Sequence, residues 1–167
     1  MTKILLFLVG CALVLTAFAL TWPWIAPGYA AVQIFLVRPL VAADLRLSVE
    51  GDGIAIYRAG GEQSLVRRDF LSFGGVGLTL ALWLLTPGLA WRRRLLWGAT
   101  GLSFLFCFHV LVLWGLVVFV QAVESGHAGG LYTLLYGFIA VSDWVVPVVL
   151  WGIVLMGYRF SGSGAIP

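Results

Sequence analysis

The sequence predicts an all-α membrane protein: a four-transmembrane-helix bundle with an interfacial helix and a small extracytoplasmic β-hairpin. Two observations carry that reading. Of 167 residues, 62% belong to the hydrophobic set and only 10% are charged, against about 45–50% and about 25% in an ordinary soluble domain. The apolar residues are also gathered into long runs, and the mean hydropathy is +1.05. A water-soluble globule of this size could not hide so much apolar surface. That excludes a soluble enzyme, a disordered chain and a nucleic-acid module. The net charge of +3 rests on ten basic residues dispersed along the apolar sequence, so it is no nucleic-acid signature.

Four apolar segments are long enough to cross about 30 Å of hydrocarbon as helices: Ile4 to Thr21, Phe70 to Ala90, Leu95 to Gln121 and Leu131 to Gly157. The first places residues 1–22 in a transmembrane helix. Lys3, an apolar stretch and Ala17-Phe18-Ala19 match a cleavable signal. Trp22 and Trp24 follow at once as an interfacial belt should, which favours an uncleaved signal anchor.

Residues 23–69 form the extracytoplasmic part. Pro23 and Pro27 break the first helix, and Gly28–Ala43 is then an apolar helix too short to span. It lies along the interface, with Arg38 reaching toward phosphates. Leu45, Leu47 and Val49 alternate with polar neighbours, Gly51-Asp52-Gly53 turns the chain, and Ile54 and Ile56 resume the alternation. This is a hairpin pattern, and Leu65-Val66 offers a third short strand. An isolated hairpin is marginal in water, so the face formed by Leu45, Leu47, Val49, Ile54 and Ile56 is expected to dock on the membrane helices or on a partner.

Residues 70–160 hold the other three spans, and 161–167 a flexible tail. The Arg92–Arg93–Arg94 trio in the turn before the third span acts as a cytoplasmic anchor, because three arginines in a tight turn resist translocation. Counted with the trio, the basic residues divide five against five between the two faces, so the tight turn decides the orientation. Four spans then leave both termini in the cytoplasm of a bacterial cell, in a multi-pass protein of the inner membrane.

Polar groups inside spans are costly without partners. His109 and Asp143 are two such groups, roughly 20 Å and roughly 21 Å from the cytoplasmic ends of consecutive antiparallel helices, and are expected to meet as an intramembrane polar pair. That pair reads as a staple between helices, with proton relay or haem ligation as rival uses. Cys11 and Cys107 lie in apolar runs as small core residues. No nucleophile elbow, phosphate loop, zinc motif or paired acidic motif occurs, so neither a catalytic residue, a metal nor a cofactor is expected.

Trp22-Pro23, Ala26-Pro27-Gly28, the apolar run into a small β element, and Thr86-Pro87 before Arg92–Arg94 give a layout that resembles the small membrane proteins encoded beside exosortases. The resemblance implies an accessory role in protein sorting or envelope export. It implies no catalysis by this chain: Cys107 sits in Phe-Cys-Phe, without the small-residue and arginine context of the exosortase cysteine. The expected partners are the lipid bilayer and other membrane protein subunits, with no nucleic acid. Two other readings stand beside it, a small structural subunit of an energy-transducing membrane complex and a proton-coupled transporter.

Overall fold

A computed structural model describes residues 2–51, 53–69, 74–86, 89–126 and 130–160; within helices, the side chains of 2–3, 131–133, 135–136, 139–140, 143 and 157–160 lie outside that description. The order of elements is α1 (Thr2–Val37), a single 3-10 turn (Arg38–Leu40), β1 (Leu45–Glu50), β2 (Gly53–Arg58), β3 (Ser64–Asp69), α2 (Gly74–Leu85), α3 (Trp91–Glu124) and α4 (Gly130–Phe160). The tail expected at 161–167 lies outside the described residues.

The four-span bundle is not what the chain forms. Among the described residues, two helical stretches are long and apolar enough to cross a membrane, Ile4–Leu40 and Trp91–Glu124, whereas Gly74–Leu85 and Trp144–Met156 are shorter apolar stretches. The second expected span is a helix of 12 residues, about 18 Å long. It stops at Leu85 because Thr86 precedes Pro87, and a residue before proline is driven out of the α region. The Thr86 hydroxyl turns back to the Leu82 carbonyl.

The break expected at Pro23 is also absent. α1 is one helix of 36 residues with both prolines inside it, about 54 Å long, and it runs through the boundary expected at residue 22. Each proline deletes one amide donor. Packing compensates: Trp22, Ala26, Ala30, Gln33 and Val37 are all buried, and their spacing of three and four keeps one face on the core along the whole upper half. Of the separate interfacial helix expected at 28–43, residues 28–37 are the end of α1 and 38–40 the 3-10 turn.

The β element is a three-stranded antiparallel sheet in the order β1-β2-β3. Leu47 pairs with Ile56, Val49 with Ile54, and Ile56 with Val66, so these residues share one face. That face lies on the helices. Leu45, Ile54 and Ile56 join one core with Trp22, Ala26, Ala30 and Val37 of α1 and with Leu105, Val112, Leu116 and Val120 of α3, while Leu47 and Val49 pack partly buried against it. The first turn sits at Gly51, whose φ is +54°. Gly53 lies so close to β3 that a Cβ there would come within 2.6 Å of the Arg68 carbonyl oxygen.

Pairwise contacts fix the helix directions. Phe18 faces Gly77, and Gly10 faces Leu85, so α2 runs opposite to α1. Trp83 faces Gly98 and Gly101 and Arg94 reaches the Leu84 carbonyl, so α3 runs opposite to α2. Trp144 meets Gly74, and the Trp151 indole donates to Thr86 at 2.9 Å, so α4 runs with α2. The ends of α1 and α3 thus point the same way. The sheet sits at that end: it touches α1 through β1 and β2, and Arg58 of β2 pairs with Glu124, the last residue of α3, at 2.6 Å.

α2 is enclosed by the other three helices. Gly77 makes this possible, since a Cβ there would sit 2.5 Å from the Phe18 ring. The outward sides of the long helices are apolar: Leu13, Trp24 and Phe35 of α1, Leu96, Phe104 and Leu111 of α3, and Phe138, Trp144 and Ile153 of α4 are exposed.

Candidate functional site

α1 and α3 carry apolar side chains along nearly all of their mutual face, with polar groups at one level. His109 of α3 is 0% exposed, and its Nδ1 lies 2.7 Å from the Tyr29 hydroxyl of α1. The rings meet edge to face with centroids 5.9 Å apart. Depending on the tautomer, the phenol donates to a bare Nδ1 or Nδ1–H donates to the phenol oxygen. Phe106 packs edge-on against the same tyrosine at 5.3 Å, and Trp22, about two turns below it on α1, at 5.5 Å. The tyrosine is therefore clamped between aromatic rings and has little freedom to leave His109.

One turn further along α1, Gln33 is 0% exposed and neither its amide nitrogen nor its amide oxygen has a hydrogen-bond partner among the described residues. Tyr29 and Gln33 are four apart, on one helix face. Below the contact, a groove of about 660 Å³ opens between α1, α2 and α3, with walls that include Val14, Phe18, Tyr29, Leu80, Leu102 and Phe106. The arrangement can hold a proton on either Tyr29 or His109 within an apolar envelope. Among the described residues, no group of three or more His, Cys, Asp or Glu could hold a metal ion.

The expected partner of His109 was Asp143. Asp143 lies within α4, and its side chain is outside the described residues. What sequence reasoning missed is Tyr29, which it assigned to a separate helix outside the bundle. The signal was present as polar residues at 29 and 33 in phase with Trp22, Ala26 and Ala30.

The docking face expected at Leu45, Leu47, Val49, Ile54 and Ile56 is occupied by the chain's own α1 and α3. The opposite face of the sheet is polar. There the Tyr57 hydroxyl donates to the Glu50 carboxylate, the Arg46 guanidinium lies 5.1 Å above the Tyr57 ring centroid, and Arg67 pairs with Asp69 at 3.3 Å. The bond to Glu50 holds the Tyr57 phenol above the usual tyrosine range; burial and the charge of Glu50 act in the same direction, against a smaller opposing effect of Arg46.

The arginine trio divides. Arg92 and Arg93 are exposed, whereas Arg94 is half-buried and donates to the carbonyls of Leu84 at 2.7 Å and Leu89 at 2.8 Å. It caps the end of α2, whose last carbonyls have no helical partner. Cys11 and Cys107 are both free thiols.

Compared with known proteins, the chain matches no family model, no curated protein and no solved structure.

Proposed function

We propose that the chain is a non-catalytic accessory or assembly subunit embedded in a bacterial inner membrane, in a system for protein sorting or envelope export. The observation that carries the reading is the contrast between surface and interior. Large apolar side chains are exposed over α1, α3 and α4, Trp24, Trp91, Trp114 and Trp144 among them, while Tyr29 and His109 face each other inside. Exposed apolar surface on this scale is covered by lipid or by another protein. Small residues let helices approach in such surroundings, as Gly77 and Gly101 do here.

Arg92 and Arg93 favour a cytoplasmic position for the start of α3. Because α1 is parallel to α3, the start of α1 belongs on the same side and the sheet on the other. Partners then meet the outward helix faces rather than the apolar face of the sheet.

The test is affinity purification of the tagged full chain in mild detergent after alkaline carbonate washing of the membranes. The expected result is retention in the washed membranes and co-purification of defined membrane proteins. Release by carbonate, or recovery as a lone monomer at every detergent concentration, would overturn the proposal.

A further inference from the structure

A second cavity, of about 430 Å³, lies where α1 leaves the bundle and β1 begins; its wall is built by Ile34, Arg38, residues 41–43, Leu45, Arg46 and Leu47. Arg38 and Arg46 both border it, beside aliphatic side chains. Among the described residues no acidic side chain lines it: Asp44, though between two lining residues, is exposed and not part of the wall. Arg46 is held in place by its stacking on Tyr57, and Tyr57 is fixed in turn by Glu50. Arg38 heads the 3-10 turn, followed directly by Pro39, and its guanidinium makes no ion pair or hydrogen bond among the described residues.

The depth of the cavity follows from α3. Trp97 and Trp114 are both exposed on that helix, and seventeen residues place them about 25 Å apart. That is near the separation of the two tryptophan belts flanking a hydrocarbon core of about 30 Å. The Tyr29–His109 contact sets the register between the parallel helices. Trp114 is five residues beyond His109, and Ile34 is five beyond Tyr29. Ile34 lines the cavity, and Arg38 is about 6 Å further on. The two arginines therefore stand just outside the upper belt, where lipid phosphates lie.

We infer that this cavity binds the headgroup of an anionic phospholipid, with its phosphate held between Arg38 and Arg46 and its glycerol end against Ile34, Val41 and Leu47. Planar guanidinium groups suit phosphate oxygens two at a time, and a basic recess beside a membrane helix is a recognised form of headgroup site. The inference rests on the membrane placement proposed above.

The experiment uses the full chain, delipidated in mild detergent and mixed with phosphatidylglycerol, phosphatidylcholine or inorganic phosphate. Bound lipid is counted by native mass spectrometry. One phosphatidylglycerol per chain is expected to survive, with phosphatidylcholine held at least tenfold more weakly. Arg38→Gln and Arg46→Gln should each weaken retention by about tenfold or more, whereas Arg67→Gln, on the outer sheet face, should leave it unchanged. Arg46→Gln also removes the stacking on Tyr57, so the decisive variant is Arg38→Gln, whose guanidinium makes no hydrogen bond or ion pair among the described residues. Full retention in Arg38→Gln, equal retention of phosphatidylcholine, or displacement of the lipid by millimolar inorganic phosphate would overturn the headgroup site. Release of the chain from membranes by carbonate would overturn the membrane placement as well, which separates the two failures.

Discussion

Tyr29 and His109 show how much one buried contact decides. Removing the phenol oxygen takes a partner from a buried ring nitrogen, and removing the imidazole takes one from a phenol; a lost buried hydrogen bond typically costs about 1–3 kcal/mol. Tyr29→Phe and His109→Leu are each expected to lower the unfolding midpoint in detergent. The double variant should cost much less than the sum, because one contact is lost only once. A strictly additive result would show that the two side chains act independently. His109 was legible in the sequence as a polar residue within an apolar run. Its neighbour was not, because a proline rule for water-soluble helices removed Tyr29 from the bundle, whereas prolines are tolerated where surrounding helices compensate. Tyr57 offers a second test, outside the apolar segments. Its phenol is held above the usual range by Glu50, so the folded state keeps its proton more firmly than the unfolded chain. That contribution is complete below the ordinary tyrosine value of about 10 and declines as the pH rises through the folded value. Wild type should lose stability more steeply than Tyr57→Phe above about pH 10, as followed by circular dichroism. Parallel alkaline curves would refute the assignment.

At the scale of elements, the strands were readable and the helices less so. Alternation at period two fixes which side of a strand faces the core, and it correctly groups Leu45, Leu47, Val49, Ile54 and Ile56 on one face. It cannot say what covers that face, and here α1 and α3 do. Hydropathy likewise marks residues 70–90 as apolar without revealing that helical hydrogen bonding stops at Leu85. Arg94 is the residue that makes so short a helix tenable, since it supplies charged donors to carbonyls at and beyond its end. Charged hydrogen bonds are typically worth about 1.5–3 kcal/mol each. Arg94→Leu is therefore expected to lower the thermal midpoint in detergent by several degrees, and Arg92→Leu to leave it nearly unchanged. Equal effects at the two positions would mean that the trio acts only through its charge. The Arg58–Glu124 pair should matter less, because Arg58 is 64% exposed and exposed pairs contribute about 0–1 kcal/mol.

For the molecule as a whole, the direction of the helices sets the arrangement to be tested. With Cys11 and Cys107 replaced by alanine, a single cysteine at Gly60, in the second sheet turn, is expected to react with an impermeant thiol reagent added outside intact cells. One at Arg93 should react only after the membrane is opened. Labelling of both from the same side would contradict the placement of α1 and α3. The sheet also lacks any slack at its attachment. α1 is a single rod of 36 residues, and only a 3-10 turn and the short stretch 41–44 separate it from β1. Hydrocarbon layers differ in thickness by several ångströms, and spanning helices answer by leaning. A rod with no joint at the water boundary carries that lean undiminished to whatever is fixed at its far end. In the membrane placement proposed above, the sheet packed against both long helices would act as the pointer of a gauge, expected to swing toward the lipid surface in a thinner bilayer and to stand upright in a thicker one.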